Sequence, residues 1–449
     1  MIIVSIISFS LAAVLILECL LRKSDFFSPA RIYLFFHSLA LGISFLALDP
    51  HMTPFLPFTS LVYFGSAVAF LLGIWTVKLL GGTNHGPSSV LDFTRYNWKV
   101  HFGFATILFA VFIWGMWFAS NGIGAFPLFA KDKAKAIRDL FAYKWWASIA
   151  LSYGGLTMAL FFISIFRPRK GLKIINPGFW LTLISVLVFS LALSRAGLIF
   201  FAAFAILFYN YAVRRLPILK LFQFFVIAGV FIIVTGYLKS NGIQEEYKTK
   251  IKTEKVVRLA LQIPYMYFAN NFWNLDYALN PENFEQRHAT TYGFTSLSGF
   301  LEGLYLPGGN VGQDLHKTLG YDDAFHKHAI KTKGWNTIGY QWDLYKDFGL
   351  AGTLLGPFII GLIFGVLYLK VIRKPTILNT AIYSYMAFFL SGTFGGYFPE
   401  NMIYVYGFIY LCLCCYFSQE MVPQNHTGAS GSVSISSVGR AERDIPART

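Results

Sequence analysis

Runs of about twenty apolar residues recur along this chain, the first reading IIVSIISFSLAAVLILECLL over residues 2–21. A helix needs about 20 mostly apolar residues to cross the hydrocarbon of a bilayer. With no water there to satisfy the backbone, each run is expected to close its hydrogen bonds within a helix. Eleven runs qualify, at roughly 1–21, 31–48, 59–80, 99–119, 145–166, 177–194, 196–213, 221–238, 348–370, 377–397 and 402–418. The expected fold class is an all-α polytopic membrane protein with about eleven transmembrane helices in one bundle. Composition agrees: charged residues are 13% of the chain, against about 25% in soluble domains.

Orientation follows from the short connections, because Lys and Arg collect on the cytoplasmic side. Arg22, Lys23 and Arg31 share one connection, and Arg167, Arg169, Lys170 and Lys173 another. Arg214, Arg215 and Lys220 share a third, and Lys370, Arg373 and Lys374 a fourth. Eleven spans that start outside put all four inside. The N-terminus is then outside and the C-terminus cytoplasmic. The first run has no basic segment before it and no small-x-small site after it, so it reads as an uncleaved helix. The net charge of +15 sits largely in these connections, where orientation and anionic headgroups account for it. No nucleic-acid partner is expected. Cys19, Cys412, Cys414 and Cys415 all fall in apolar runs without zinc or redox spacing and read as packing residues.

The chain then divides into helices over 1–238, a large outer loop over 239–347, further helices over 348–420 and a polar tail over 421–449. The outer loop is expected to contain helices, for example over 244–262, where Lys248, Lys252 and Lys255 share a face. The tail is expected to be disordered.

Several constellations invite a chemical reading. Arg195 is the only formal charge between Trp180 and Val213, at the turn of a helical hairpin. Two readings stand: a cation that binds an anion at the membrane boundary, or an Arg snorkelling to headgroups. The outer connection near 120–144 carries Lys131, Lys133, Lys135, Arg138 and Lys144 against Asp132 and Asp139. It suits diphosphate headgroups or a surface helix on anionic lipid. Arg258 and Arg287 in the large loop are weaker candidates of the same kind. The run YMYFANNFWNLDYALNPENF, residues 265–284, offers aromatic faces and Asn270, Asn271 and Asn274 for sugar rings, or an interfacial anchor. His316, His326 and His328 lie among Asp314, Asp322 and Asp323. That spacing matches no zinc motif, and the cluster reads as a solvated loop or, at His316, a base. KGWNTIGYQWDLYKDFGLAG, residues 333–352, sets Asn336, Thr337, Asp343, Tyr345, Lys346 and Asp347 before an apolar run. Asp347 reads either as a proton acceptor or as the cap that starts that helix. The first outer loop, DPHMTPFLPF, has one Asp and no second carboxylate, so a metal-dependent glycosyl transfer built on an acidic pair there is disfavoured.

The order LSRAGLIFF, NFWNLDYAL, TTYGFTSLSG and NTIGYQWDLYKDFGLAG resembles the Wzy-type repeat-unit polymerases of O-antigen, capsule and exopolysaccharide pathways. The family's Asn-Thr, Tyr and Asp-Phe-Gly-x-x-Gly elements map onto Asn336, Thr337, Tyr345, Asp347, Phe348, Gly349 and Gly352. The paired Arg-x(10)-Gly motifs of some members have no counterpart around Arg195, Arg258 or Arg287. The resemblance implies a GT-C-like bundle with a large helical periplasmic loop. It implies transfer of a growing glycan from undecaprenyl diphosphate to a new lipid-linked repeat unit, without metal or other cofactor. Arg195 would stabilise the departing diphosphate, assisted by Arg258 or Arg287. Asp347, Asp343 or His316 would take the acceptor proton. Asn270, Asn274, Asn336, Thr337, Tyr345, Lys131, Lys135 and Arg138 would bind substrate. Membrane lipids, a chain-length regulator and a flippase would be partners. The rival readings are an O-antigen ligase acting on lipid A-core, a flippase for the same lipid-linked unit, and a non-catalytic scaffold.

Overall fold

The computed structural model describes residues 2–46, 48, 55–81, 91, 93–94, 96–131, 135–136, 139–140, 145–168, 176–192, 195–224, 226, 230, 255–280, 290–301, 304–306, 309–310, 337–396 and 398–419. The helices are α1 (Ile2–Arg22), α2 (Pro29–Ser44), α3 (Pro57–Gly81), α4 (Trp98–Ile123), α5 (Trp145–Ser164), α6 (Pro177–Ser190) and α7 (Arg195–Ala212). They continue as α8 (Lys255–Leu279), α9 (Phe294–Leu301), α10 (Gln341–Arg373), α11 (Ile377–Gly392) and α12 (Met402–Phe417). A two-residue antiparallel pair, Tyr305–Leu306 with Gly309–Asn310, is the one β ladder among the described residues. Four helical runs are long and apolar enough to cross a membrane: Ile2–Arg22, Pro57–Gly81, Trp98–Phe129 and Gln341–Arg373. Shorter apolar helices accompany them at Ile149–Ser164, Pro177–Ser190, Gly197–Ala212 and Met402–Phe417. The chain is thus a helical membrane protein. Each expected run coincides with a helix except 221–238, most of which lies outside the described residues, as do 239–254 and 420–449.

Close contacts fix the helix directions. Glycines let α3 and α10 run side by side in parallel, since a Cβ on Gly73 would collide with Phe358 O and one on Gly361 with Phe70 O. Further along, Arg373 donates to Gly81 O. α4 and α5 are antiparallel: Gly115 packs on Ala150, while His101 Nε2 lies 2.8 Å from Leu160 O. Asp25, in the α1–α2 turn, accepts from Tyr211 Oη at 2.8 Å, Arg215 Nη1 at 2.6 Å and Tyr368 Oη at 2.9 Å. The ends of α1, α7 and α10 therefore meet there. Burial pulls the Arg215 pKa down and the Asp25 charge pulls it up, with a net rise.

Two ends of the bundle result. The described members of the four basic connections (Arg22, Lys23, Arg31, Arg167, Arg214, Arg215, Lys220, Lys370, Arg373 and Lys374) share one, here called the basic end. α3, α5, α7, α10 and α12 all begin at the other, the entry end.

α10 consists of two helical parts joined at a kink: a polar first part from Gln341, which contains Asp343 and Asp347, and after Gly349 the apolar run expected from the sequence. The described helix of the 239–347 stretch packs on the bundle. α8 buries Phe272, Leu275, Ala278 and Leu279 against Ala40, Leu41, Val62 and Tyr63 of α2 and α3.

Candidate active site

The first turns of α10 set the site. Tyr340 N–H donates to Thr393 O at 3.0 Å, tying the start of α10 to the end of α11. Asp343 is 1% exposed, and its Oδ1 lies 2.9 Å from Lys346 Nζ one turn on. The Lys346 ammonium also stands 5.9 Å from the centre of the Trp342 ring, within cation–π range. Facing them, α8 presents Asn270, Asn271, Asn274 and Asp276, all buried. Asn274 Nδ2 donates to Thr337 O at 2.8 Å, and Asp276 Oδ1 accepts from Leu56 N–H at 2.9 Å. Tyr345 is half-buried between Trp342 and Phe58. The arrangement holds two buried carboxylates, one of them paired with an ammonium, and neutral amides able to bind hydroxyls.

Asp347 meets a different set of neighbours. Its Oδ1 accepts from Thr291 Oγ1 and from Thr295 N–H at 2.8 Å. Its Oδ2 accepts from Ser296 N–H at 2.9 Å and Ser296 Oγ at 2.5 Å. These four bonds fill the roughly four acceptor positions of a carboxylate. Asp347 therefore caps a helix, but that helix is α9, which begins some fifty residues earlier, and not the apolar run that one of its two sequence readings has it start. The kink that follows explains the rest of Asp-Phe-Gly-x-x-Gly. Phe348 (φ −141°, ψ 17°) and Gly349 (φ 62°, ψ −149°) leave the helical region, and Gly349 adopts a conformation only glycine tolerates. A Cβ on Gly352 would collide with Leu344 O. The carbonyls released by the kink, Lys346 O and Asp347 O, accept from Thr291 N–H and Tyr292 N–H, both at 2.9 Å.

Two features here had no sequence signal beyond an ordinary polar residue. Gln341 is 0% exposed, and among the described residues neither of its amide atoms has a hydrogen-bond partner. Its Oε1 covers Gly339, where a Cβ would come within 2.5 Å. A buried group in that state costs about 1–3 kcal/mol. Below it, His37 lies between Tyr63 Oη (3.0 Å, at Nδ1) and Thr393 Oγ1 (2.9 Å, at Nε2). Thr393 Oγ1 donates to Leu390 O, so it accepts from His37 Nε2–H, and Nδ1 is the acceptor. Tyr33 stacks on the imidazole at 4.0 Å, and its Oη reaches Tyr340 Oη at 3.0 Å.

Arg195 is the first residue of α7, at the entry end. Its side chain, and that of Arg258 within α8, lie outside the described residues, as do Arg138, Arg287, His316 and Asn336 altogether. Leu128 N–H donates to Leu191 O at 3.2 Å, bringing the Lys131 connection beside the α6–α7 turn. Lys131 and Lys135 are both exposed. The fold thus gathers Arg195, Lys131, Asn270, Asn274, Thr337, Asp343, Tyr345 and Asp347 at one end. Among the described residues no group of three or more His, Cys, Asp and Glu side chains could ligate a metal. No family model, no curated protein and no solved structure matches the chain.

Proposed function

We propose that this protein is a membrane glycosyltransferase that polymerises undecaprenyl-diphosphate-linked oligosaccharide repeat units. The observation that carries the reading is that α7 starts with Arg195 at the same end of the bundle, the entry end, as the buried Asp343–Lys346 pair and the α8 amides. The N–H groups of a helix start and an Arg on the same turn both favour an anion. The amides and the carboxylate suit a sugar hydroxyl.

In the proposed reaction, the bond between the anomeric carbon of the growing glycan and its diphosphate oxygen breaks. A hydroxyl of the new lipid-linked unit forms a bond to that carbon, and its proton passes to Asp343. Undecaprenyl diphosphate leaves with the bonding electron pair, its charge stabilised by Arg195. Asp343 is the base in this reading, while Asp347 holds the start of α9. Asn270, Asn274, Thr337 and Tyr345 line the acceptor side, and Lys131 and Lys135 attract the diphosphate. The same proposal sets the entry end in the periplasm and the basic end in the cytoplasm of a bacterial inner membrane, with about eleven spans and a GT-C-like architecture.

Deletion of the gene and electrophoresis of surface glycan test the reading. Loss of a polymerase leaves a single repeat unit on the core. Polymer retained on the lipid carrier with none on the core would instead indicate a ligase, and an unchanged ladder would remove the protein from the pathway.

A further inference from the structure

α9 is built inside out. Its buried positions are Thr295, Ser298 and Gly299, three and four residues apart on one face. Its exposed positions are Leu297, at 56% exposure, and Phe300, at 42%. Tyr292 just before it is 81% exposed. A helix on a water-facing surface turns its apolar stripe inward and its polar residues out. α9 does the reverse, and residues 290–301 contain no charged side chain.

The inward polar face is fully engaged. Thr295 and Ser296 bind Asp347, and Ser298 Oγ donates to Thr295 O at 2.8 Å. Gly299 sits so close to Pro399 O and the Asn401 backbone that a Cβ would come within 2.5–2.9 Å. The outward apolar face runs on into neighbouring helices. Gly293 packs against the Phe348 ring, itself half exposed on α10. Below Phe348, α10 exposes Leu355, Ile359 and Ile363 along its spanning length. On the other side, the Phe300 ring stacks on Tyr406 of α12 at 6.1 Å.

We propose that α9 is embedded in the lipid leaflet at the entry end, with Leu297, Phe300, Tyr292 and Phe348 against acyl chains. The occupant is lipid because the exposed strip is continuous with the bilayer-facing surface of a spanning helix. An eight-residue helix is also small beside the area that a stable protein interface buries. Asp347, which holds α9 from beneath, would then anchor a membrane-inserted element to the kink of α10. The inference rests on the spanning helices and not on the proposed chemistry.

The test is spin labelling of the full chain at Leu297→Cys and, separately, Phe300→Cys, with the native cysteines replaced by Ala. The protein is reconstituted in vesicles of phosphatidylcholine and phosphatidylglycerol, with Lys131→Cys as the water-exposed reference. Gel filtration in detergent selects variants that fold, and either α9 position alone is sufficient. Dissolved oxygen is expected to relax the α9 labels several-fold more than a polar nickel chelate does, with the reverse at Lys131→Cys. Dominant relaxation by the chelate at α9 would place it in water and overturn the proposal. Weak relaxation by both reagents would mean that protein, such as a second copy, covers α9, and would overturn it equally.

Discussion

One helical turn separates Asp343 from Asp347, and the two carboxylates meet different neighbours. Asp347 accepts four hydrogen bonds from the start of α9, whereas Asp343 pairs with the ammonium of Lys346. Their amide variants should therefore separate. Asp347→Asn replaces one acceptor oxygen by a donor that faces N–H groups. It should lower stability by about 1–3 kcal/mol, read as an earlier thermal transition in detergent, with glycan output falling only as folded protein falls. Asp343→Asn should also lower the transition, because it leaves the Lys346 ammonium beside a neutral amide, and should in addition reduce polymerisation per folded protein by about 10²–10⁴-fold, the usual contribution of a general base. Equal polymerisation per folded protein in both variants would remove the distinction. At Arg195 the expected outcome is loss of polymer in Arg195→Ala with the protein still in the membrane. Arg195→Lys should recover part of it, since charge is retained without the bidentate fork. Normal polymer length in the Ala variant would remove Arg195 from the chemistry.

At the scale of elements, the kink in α10 determines where the candidate residues stand. Gly349→Ala would force an L side chain into φ 62°, ψ −149°, costing about 1–3 kcal/mol. It should also release α9, seen as faster proteolysis after residues 290–301, while a conservative change at lipid-facing Leu355 should leave the pattern intact. The apolar spans were legible because length and composition alone dictate a membrane helix. The kink was not. Nothing in the polar stretch from Gln341 to Asp347 distinguishes a helix turn from a loop, and the partner that decides the role of Asp347 lies about fifty residues away in the chain. α8 is a related case. Its aromatic and amide run fits a sugar-binding face or an interfacial anchor equally well, and the burial of Phe272 and Leu275 against α2 and α3 is decided by tertiary contact alone. Gln341 and His37 carry no local pattern at all, and both became visible only through burial.

For the whole molecule, the positive connections and the polar cluster separate to opposite ends. The charge pattern read from the sequence anticipated that segregation, because short basic loops need to stay on one side. A reporter fused near residue 300 should show periplasmic activity, and one placed after Arg373 cytoplasmic activity. The opposite result at both would invert the proposed orientation. The proposed polymerisation of lipid-linked repeat units is tested most directly with the purified protein in vesicles containing only its undecaprenyl-diphosphate-linked oligosaccharide. A ladder of lengthening glycans that persists in EDTA is expected. Absence of a ladder until lipid A-core is supplied, or strict dependence on added divalent metal, would contradict it.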